Sequence, residues 1–212
     1  MKSIAFLCIV LASVCHSETV TYKIVRDSPE VLVEFAGKAP YETFAGRTRI
    51  VTGFIEIHNL EANGSGRAEI HVDLTSLDTG NEQHNTDLRA NQLETSVYPE
   101  AVFVGLHFEL PSVLIENESL PVVVRGTLYL HGVTREISPT VFVTKREHGE
   151  KLQIESRFRV RLEDFQIRSP GSLGPKVAEE QYIKFDITAI RDGAESIPRH
   201  EQTGEPGQGV SR

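Results

Sequence analysis

Between Gly66 and Leu74 apolar and polar residues alternate one by one. Ala68, Ile70, Val72 and Leu74 fall on one side, and Arg67, Glu69, His71 and Asp73 on the other. A period of two is the pattern of a strand with one face in a core and one in water, and a helix does not satisfy it. The stretch from Tyr182 to Ile190 repeats the pattern, with Ile183, Phe185, Ile187 and Ala189 on one face. Residues 21–26, 31–35, 49–60, 101–110, 122–130, 135–145 and 151–161 also read as strand. Turn chemistry separates them: Asp27-Ser28-Pro29, the Asn-Gly within Glu61-Ala62-Asn63-Gly64-Ser65, and His148-Gly149. About nine or ten strands with short turns predict an all-β fold, a closed antiparallel barrel or a sandwich. One short polar segment near residues 82–93 has helical spacing, with Leu88 and Leu93 as its apolar residues.

The ends of the chain differ from this middle. Lys2 followed by an apolar run from Ile4 to Val14, broken only by Ser13, reads as a secretory leader too short to span a bilayer. Cys15 and Ser17 are small residues in place for cleavage before Glu18. A lipoprotein leader also ends in Cys, but it wants a small residue just before it, and here that residue is Val14. Both cysteines, Cys8 and Cys15, lie inside the leader, so a mature chain from Glu18 has no disulfide framework and no thiolate site. From Asp192 to Arg212 Gly, Pro, Glu and Gln dominate, and such a tail cannot bury enough apolar surface to order itself. The expected organisation is a leader over 1–17, one barrel over 18–191 and a disordered tail over 192–212.

Charge narrows the function. The formal net charge is −8, and removing the leader with its single Lys makes it −9 (−8 less +1), so phosphate-backbone binding through bulk charge is not supported. Aromatics are only 7 % with no Trp, which argues against a base-stacking platform. His58, His71, His107 and His131 sit in expected strands, but no two share a strand at i, i+2 with an acid between them, so no metal site is expected. No Gly-rich loop opens a helix, and Gly64-Ser65-Gly66 lies in a hairpin loop, so neither nucleotide binding nor a serine nucleophile is supported. Asn63-Gly64-Ser65 and Asn117-Glu118-Ser119 are glycosylation sequons.

Three blocks carry a family resemblance. The first is the segment Ser76 to Phe103, with Ser76-Leu77-Asp78-Thr79-Gly80-Asn81, Leu88-Arg89 and Tyr98-Pro99. The second is Val124 to Arg135, with an L-x-L-H/K-G-V-T-R/K core. The third is Asp164-Phe165-Gln166-Ile167 followed by the last alternating strand. In this order and at these separations they resemble the YceI-like family of polyisoprenoid-binding, lipocalin-like proteins, over roughly Thr19 to Arg191. The chain departs from the pattern at His84-Asn85, where an Arg-Asp pair is usual, at Gln166 and Leu162, where Gly and Arg are usual, and at Phe35-Ala36-Gly37-Lys38-Ala39-Pro40. These departures bear on ligand identity more than on fold.

The resemblance implies an antiparallel lipocalin-like β-barrel whose interior holds a long apolar chain: a polyisoprenoid, an isoprenoid quinone or a fatty amide. Each CH₂ buried in such a lumen contributes about 0.8 kcal/mol, so an apolar wall and a few polar groups at the mouth suffice. Phe54, Ile70, Val72, Leu74, Phe103, Leu128, Leu130, Phe158, Ile183 and Phe185 are the inward candidates, as ligand wall or as plain core. Leu88, Leu93 and Tyr98 either form a lid over the mouth or plug it as core. Arg89 either meets a head group or pairs with Asp78 or Asp87. The expected function is an exported carrier, periplasmic or secreted, and not an enzyme. The rival is an exported non-enzymatic interaction module whose barrel is filled by side chains. The expected partner is a lipid-like small molecule, with a homodimer left open. No nucleic acid partner, metal or transmembrane segment in the mature chain is expected, and no cofactor apart from a bound isoprenoid or fatty-acid-derived ligand.

Overall fold

The computed structural model describes residues 19–38, 43–60, 64–167 and 180–193. The expected leader, the tail beyond residue 193 and the turn at 61–63 lie outside the described residues. Among the described residues twelve strands form one antiparallel sheet. They are β1 (Thr19–Ile24), β2 (Val31–Lys38), β3 (Thr43–Thr48), β4 (Val51–His58), β5 (Ser65–Asp73), β6 (Glu100–Glu109), β7 (Ser119–Val123), β8 (Arg125–Leu130), β9 (Val133–Ile137), β10 (Thr140–Arg146), β11 (Lys151–Arg161) and β12 (Glu180–Arg191). No helix among the described residues is long and apolar enough to cross a membrane.

Several of these strands are parts of longer ones. β1 and β2 run the same way along β12, with Ile24 opposite Ala189 and Val31 opposite Ile187, and the turn after Val25 interrupts them. β3 and β4 are likewise parted at Arg49-Ile50. β7 and β8 are separated by Val124 alone, and β9 and β10 by Ser138-Pro139. Val123 opposite Thr140 and Gly126 opposite Ile137 keep one register across both breaks. The Val124 N–H donates to the Pro139 carbonyl at 3.1 Å, so the hairpin is continuous. Its two halves have different neighbours, however: β8 pairs with β6, and β10 pairs with β11. The curled sheet therefore comes back to itself as a lipocalin-like barrel.

Here the sequence expectation needs refinement. The single strands read over 122–130 and 135–145 are each split, because Pro139 has no N–H to give a ladder and the hairpin changes partners there. β3 went unread, since Ala45-Gly46-Arg47-Thr48 carries little strand propensity and pairs because β2 lies beside it.

Inner and outer faces follow the pleat. On the outside Arg67 grips Glu56 at 2.6 and 3.1 Å, and its guanidinium lies 5.4 Å from the centre of the Phe54 ring. His71 is held between Glu69 at 2.8 Å and Glu100 at 3.2 Å, and the hydrogen bond to Glu69 is the larger cause of a pKa above the usual histidine value. On the inside the core forms two clusters at opposite ends of the barrel. One holds Tyr22, Val31, Val51, Ile57, Leu114, Leu152 and Ile187, all buried, and the Tyr22 hydroxyl donates to the Gly149 carbonyl at 2.8 Å. The other holds Leu74, Leu77, Leu88, Leu93, Leu128, Val160, Phe165 and Ile167.

The register of β12 gives a direct check. Phe185 stands between Ser156 and Val33 on the inner face, while its neighbour Lys184 reaches Glu34 at 3.2 Å on the outside. Phe185→Asp puts an unpaired carboxylate against apolar walls and should cost several kcal/mol, roughly 3 or more. Lys184→Asp exchanges an exposed ion pair for a like-charge contact and should cost about 1 kcal/mol or less. Urea unfolding midpoints that fall equally for the two variants would mean the strand faces the other way.

Candidate functional site

Between the two packed ends the barrel is not filled. A cavity of about 200 Å³ remains, walled by inward residues of nearly every strand. Ser156 is the polar side chain on this wall, and its hydroxyl already donates to the Thr140 carbonyl at 2.8 Å. The rest of the lining is apolar, from Val33 and Phe35 on β2 to Ile183 and Phe185 on β12. Small-molecule pockets usually offer about 300–1,000 Å³. A smaller, almost wholly apolar lumen suits a slender hydrocarbon chain better than a bulky or polar molecule.

Most of the inward candidates stand on this wall. Ile70 and Val72 come from β5, and Leu74 follows directly after it. Phe103 comes from β6, Leu128 and Leu130 from β8, Phe158 from β11, and Ile183 and Phe185 from β12. Phe54 does not stand there. It pairs with Lys23 and Glu69 on the outer face, and Ile55, opposite Ala68, takes the inward position. Thr52, Glu56 and His58 share the Phe54 face, so the alternation that places it outside was present in the sequence. Val33, Phe35, Ile137 and Val141 also line the cavity without having been singled out, because their strands are short or broken and show no long alternation.

The segment after β5 closes one end. Asp73 turns the chain by accepting from the Thr75 N–H at 2.8 Å. Asn81 then caps a short helix, α1 (Glu82–Asp87), its side chain accepting from the N–H groups of Gln83 at 2.9 Å and His84 at 3.2 Å. α1 widens into a single π-type turn over Leu88–Gln92, with the Leu93 N–H on the Leu88 carbonyl at 2.8 Å. Residues five apart do not share a face of an α-helix. The wider turn brings Leu88 and Leu93 together, and both are buried in the second cluster without lining the cavity. They plug the barrel end. Tyr98 packs on the turn between β8 and β9, its ring 4.7 Å from that of His131. Gly132 is needed in that turn, with φ of 72° and a Cβ position only 2.7 Å from the Tyr98 ring. His131 Nδ1 lies 3.1 Å from the Phe165 carbonyl and its Nε2 2.9 Å from Glu94, so this turn, the end segment and Phe165 are held together.

The motif Asp78-Thr79-Gly80-Asn81 is explained by Asn85, which is buried. Its side-chain oxygen accepts from the Thr79 N–H and hydroxyl, each at 2.7 Å. Its amide donates to Asp78 at 3.0 Å and to Glu82 at 3.4 Å. The Asn85 hydrogen bond, then the Gly80 N–H, hold the Asp78 carboxyl below its usual range. Arg89 donates to the Leu77 carbonyl at 3.1 Å and stands 3.8 Å from Glu82. It braces the segment and does not line the cavity. Asp87, the other partner considered for it, is taken by Asn91 and Gln92, which lower its pKa in that order.

Comparison with known proteins meets the same architecture. The model of the YceI-like domain matches residues 22–189. A polyisoprenoid-binding domain from Saccharophagus degradans, implicated in plant cell wall breakdown, superposes with a TM-score of 0.62 at 17 % identity, covering 82 % of this chain and 99 % of that one. BcnA of Burkholderia cenocepacia superposes with a TM-score of 0.60 at 21 % identity over 76 % and 96 % of the two chains. The YceI protein of Campylobacter jejuni gives 0.55 at 16 % identity over 68 % and 83 %. At these identities the likeness is one of fold. No curated protein sequence matches the chain.

The bracket around Asn85 is open to direct measurement. Asn85→Ala strands the Thr79 N–H and removes one of the two donors to Asp78, so the protein should lose about 1–3 kcal/mol. Amide exchange should quicken through residues 79–93 while β11 and β12 stay protected. A stability equal to wild type would show that the bracket contributes nothing.

Proposed function

The chain belongs to the YceI-like family, and from that membership and its apolar central cavity we propose that it is a carrier or binding protein for a long-chain amphiphile. The apolar tail lies in the barrel, and a polyisoprenoid, an isoprenoid quinone or a fatty amide fits this description. The cavity carries the reading. A barrel meant only to present its surface would gain stability by filling its interior, since an empty lumen loses the contacts its lining could make. A wall whose one hydroxyl is already bonded offers nothing to orient a reaction, so the proposed role is binding and not turnover. The name of the Saccharophagus degradans neighbour, a polyisoprenoid-binding domain, supports the ligand class. The apolar run after Lys2 supports export to the periplasm or beyond the cell.

Native mass spectrometry of protein purified without detergent tests the reading. A lipid-sized adduct that dissociates on activation is the expected result, and a bare chain from the native host would oppose it. Val72→Phe sharpens the test. Val72 stands on the wall between Val51 and Ala101, and a phenyl ring there enters the lumen. Adduct occupancy should fall while the melting temperature holds or rises. If the lumen is in truth close-packed, the same ring costs about 1–3 kcal/mol of stability and no adduct is seen in either protein.

A further inference from the structure

The barrel wall is unzipped along one line. β10 pairs with β11 from Arg146 opposite Lys151 to Val141 opposite Ser156, and the ladder stops there. Beyond that point, among the described residues, β11 from Arg157 to Arg161 pairs with β12 alone, and β9 pairs with β8 alone. The turn Leu162–Phe165 packs against both strands. The seam borders the cavity. Ile137 and Pro139 line the lumen from one edge, and Ser156, Phe158 and Val160 from the other. Ile137 and Phe158 are only half-buried. A slender chain can pass between these edges beside that turn without breaking a ladder, because none joins them among the described residues.

A cation stands on the inner register of this edge. Residues opposite one another in an antiparallel ladder share a face. Arg135 is opposite Leu128, and its same-face neighbours Val133 and Ile137 are opposite Leu130 and Gly126. Leu128, Leu130 and Ile137 all line the cavity, so the pattern wants an apolar residue where Arg135 is found. The residue is exposed, and its guanidinium donates to the adjacent Thr134 carbonyl at 3.0 Å. On the outer face of β11 Arg159 has Glu180 at 3.5 Å and Arg161 has Glu163, while Arg157 stands opposite Lys184. Arg135 forms no ion pair with any described residue. Its remaining donors form a planar fork suited to a carboxylate or phosphate.

Resting on the carrier reading, we propose that Arg135 is the head-group site: it binds the anionic group, carboxylate or phosphate, of an amphiphile whose tail passes through the seam between β9 and β11 into the cavity. The apolar lumen then supplies affinity for the tail, and Arg135 selects among molecules that share one.

Farnesyl phosphate, farnesoate and farnesol have the same tail and differ at the head. Their affinities are to be measured by calorimetry for the wild-type protein, Arg135→Gln, Arg135→Lys and Arg89→Gln. The wild type should prefer an anion to farnesol, and Arg135→Gln should lose about tenfold in affinity for that anion, the scale of one charge-assisted contact, with farnesol unchanged. Arg135→Lys should keep part of the preference, and Arg89→Gln all of it. Whichever anion loses more in Arg135→Gln identifies the head group as carboxylate or phosphate. Equal binding of farnesol and both anions by the wild type, or a preference that survives Arg135→Gln, would overturn the assignment and leave the carrier reading standing. Loss of the preference in Arg89→Gln alone would move the site to the barrel end. A wild type that binds none of the three would sink the carrier reading and this assignment together.

Discussion

The hairpin of β7–β8 against β9–β10 keeps one register through Val124 and Pro139 but changes its outer neighbours there, from β6 on one half to β11 on the other. That change of neighbours closes the sheet. Closure removes the long free edges an open sheet of this size would expose, and it creates an inside. It also leaves a defect. A strand leaning toward β6 at one end and toward β11 at the other cannot keep both ladders over its whole length, so β9 loses β11 as a partner. The lumen and the seam in its wall thus have one origin, and Pro139, with no N–H to contribute, sits where they meet.

Residue size then decides where the interior is solid. Tyr22, Leu152 and Ile187 meet at one end, and Leu77, Leu88, Leu93 and Phe165 at the other. The wall between includes Val33, Ala68, Val72, Ala101 and Val122, whose side chains do not reach across. Phe35, Phe103 and Phe158 are large but stay only half-buried, since no opposing side chain covers them completely. The end segment is fixed by polar bonds as well as apolar contact. Asn85 joins Asp78, Thr79 and Glu82, and Arg89 holds the Leu77 carbonyl.

The alternating strands were the legible part of this molecule. A period of two in Gly66–Leu74 and Tyr182–Ile190 places Ile70, Val72, Ile183 and Phe185 on one surface, and the folded chain has them there. Phe54 was misplaced because hydrophobicity outweighed phase: its neighbours at even positions are polar, and a phenyl ring can lie on an outer face when an arginine covers it. Leu88 and Leu93 could not be put on one surface from helical spacing, since only a widened turn makes residues five apart neighbours. The split of the long strands, the seam and the inner register of Arg135 were out of reach. They depend on which strand lies beside which, and a single sequence states that only weakly.

An unfilled apolar lumen has a consequence outside binding. Its volume is part of the folded molecule and of no other state, because unfolding lets water flow in and the void disappears. Hydrostatic pressure favours whichever state occupies less space, so it should open this barrel more readily than one packed solid. A tail lying in the lumen would abolish that difference. The compressibility of the chain is thereby tied to its occupancy, and a purely mechanical variable becomes a measure of whether the 200 Å³ at its centre is in use.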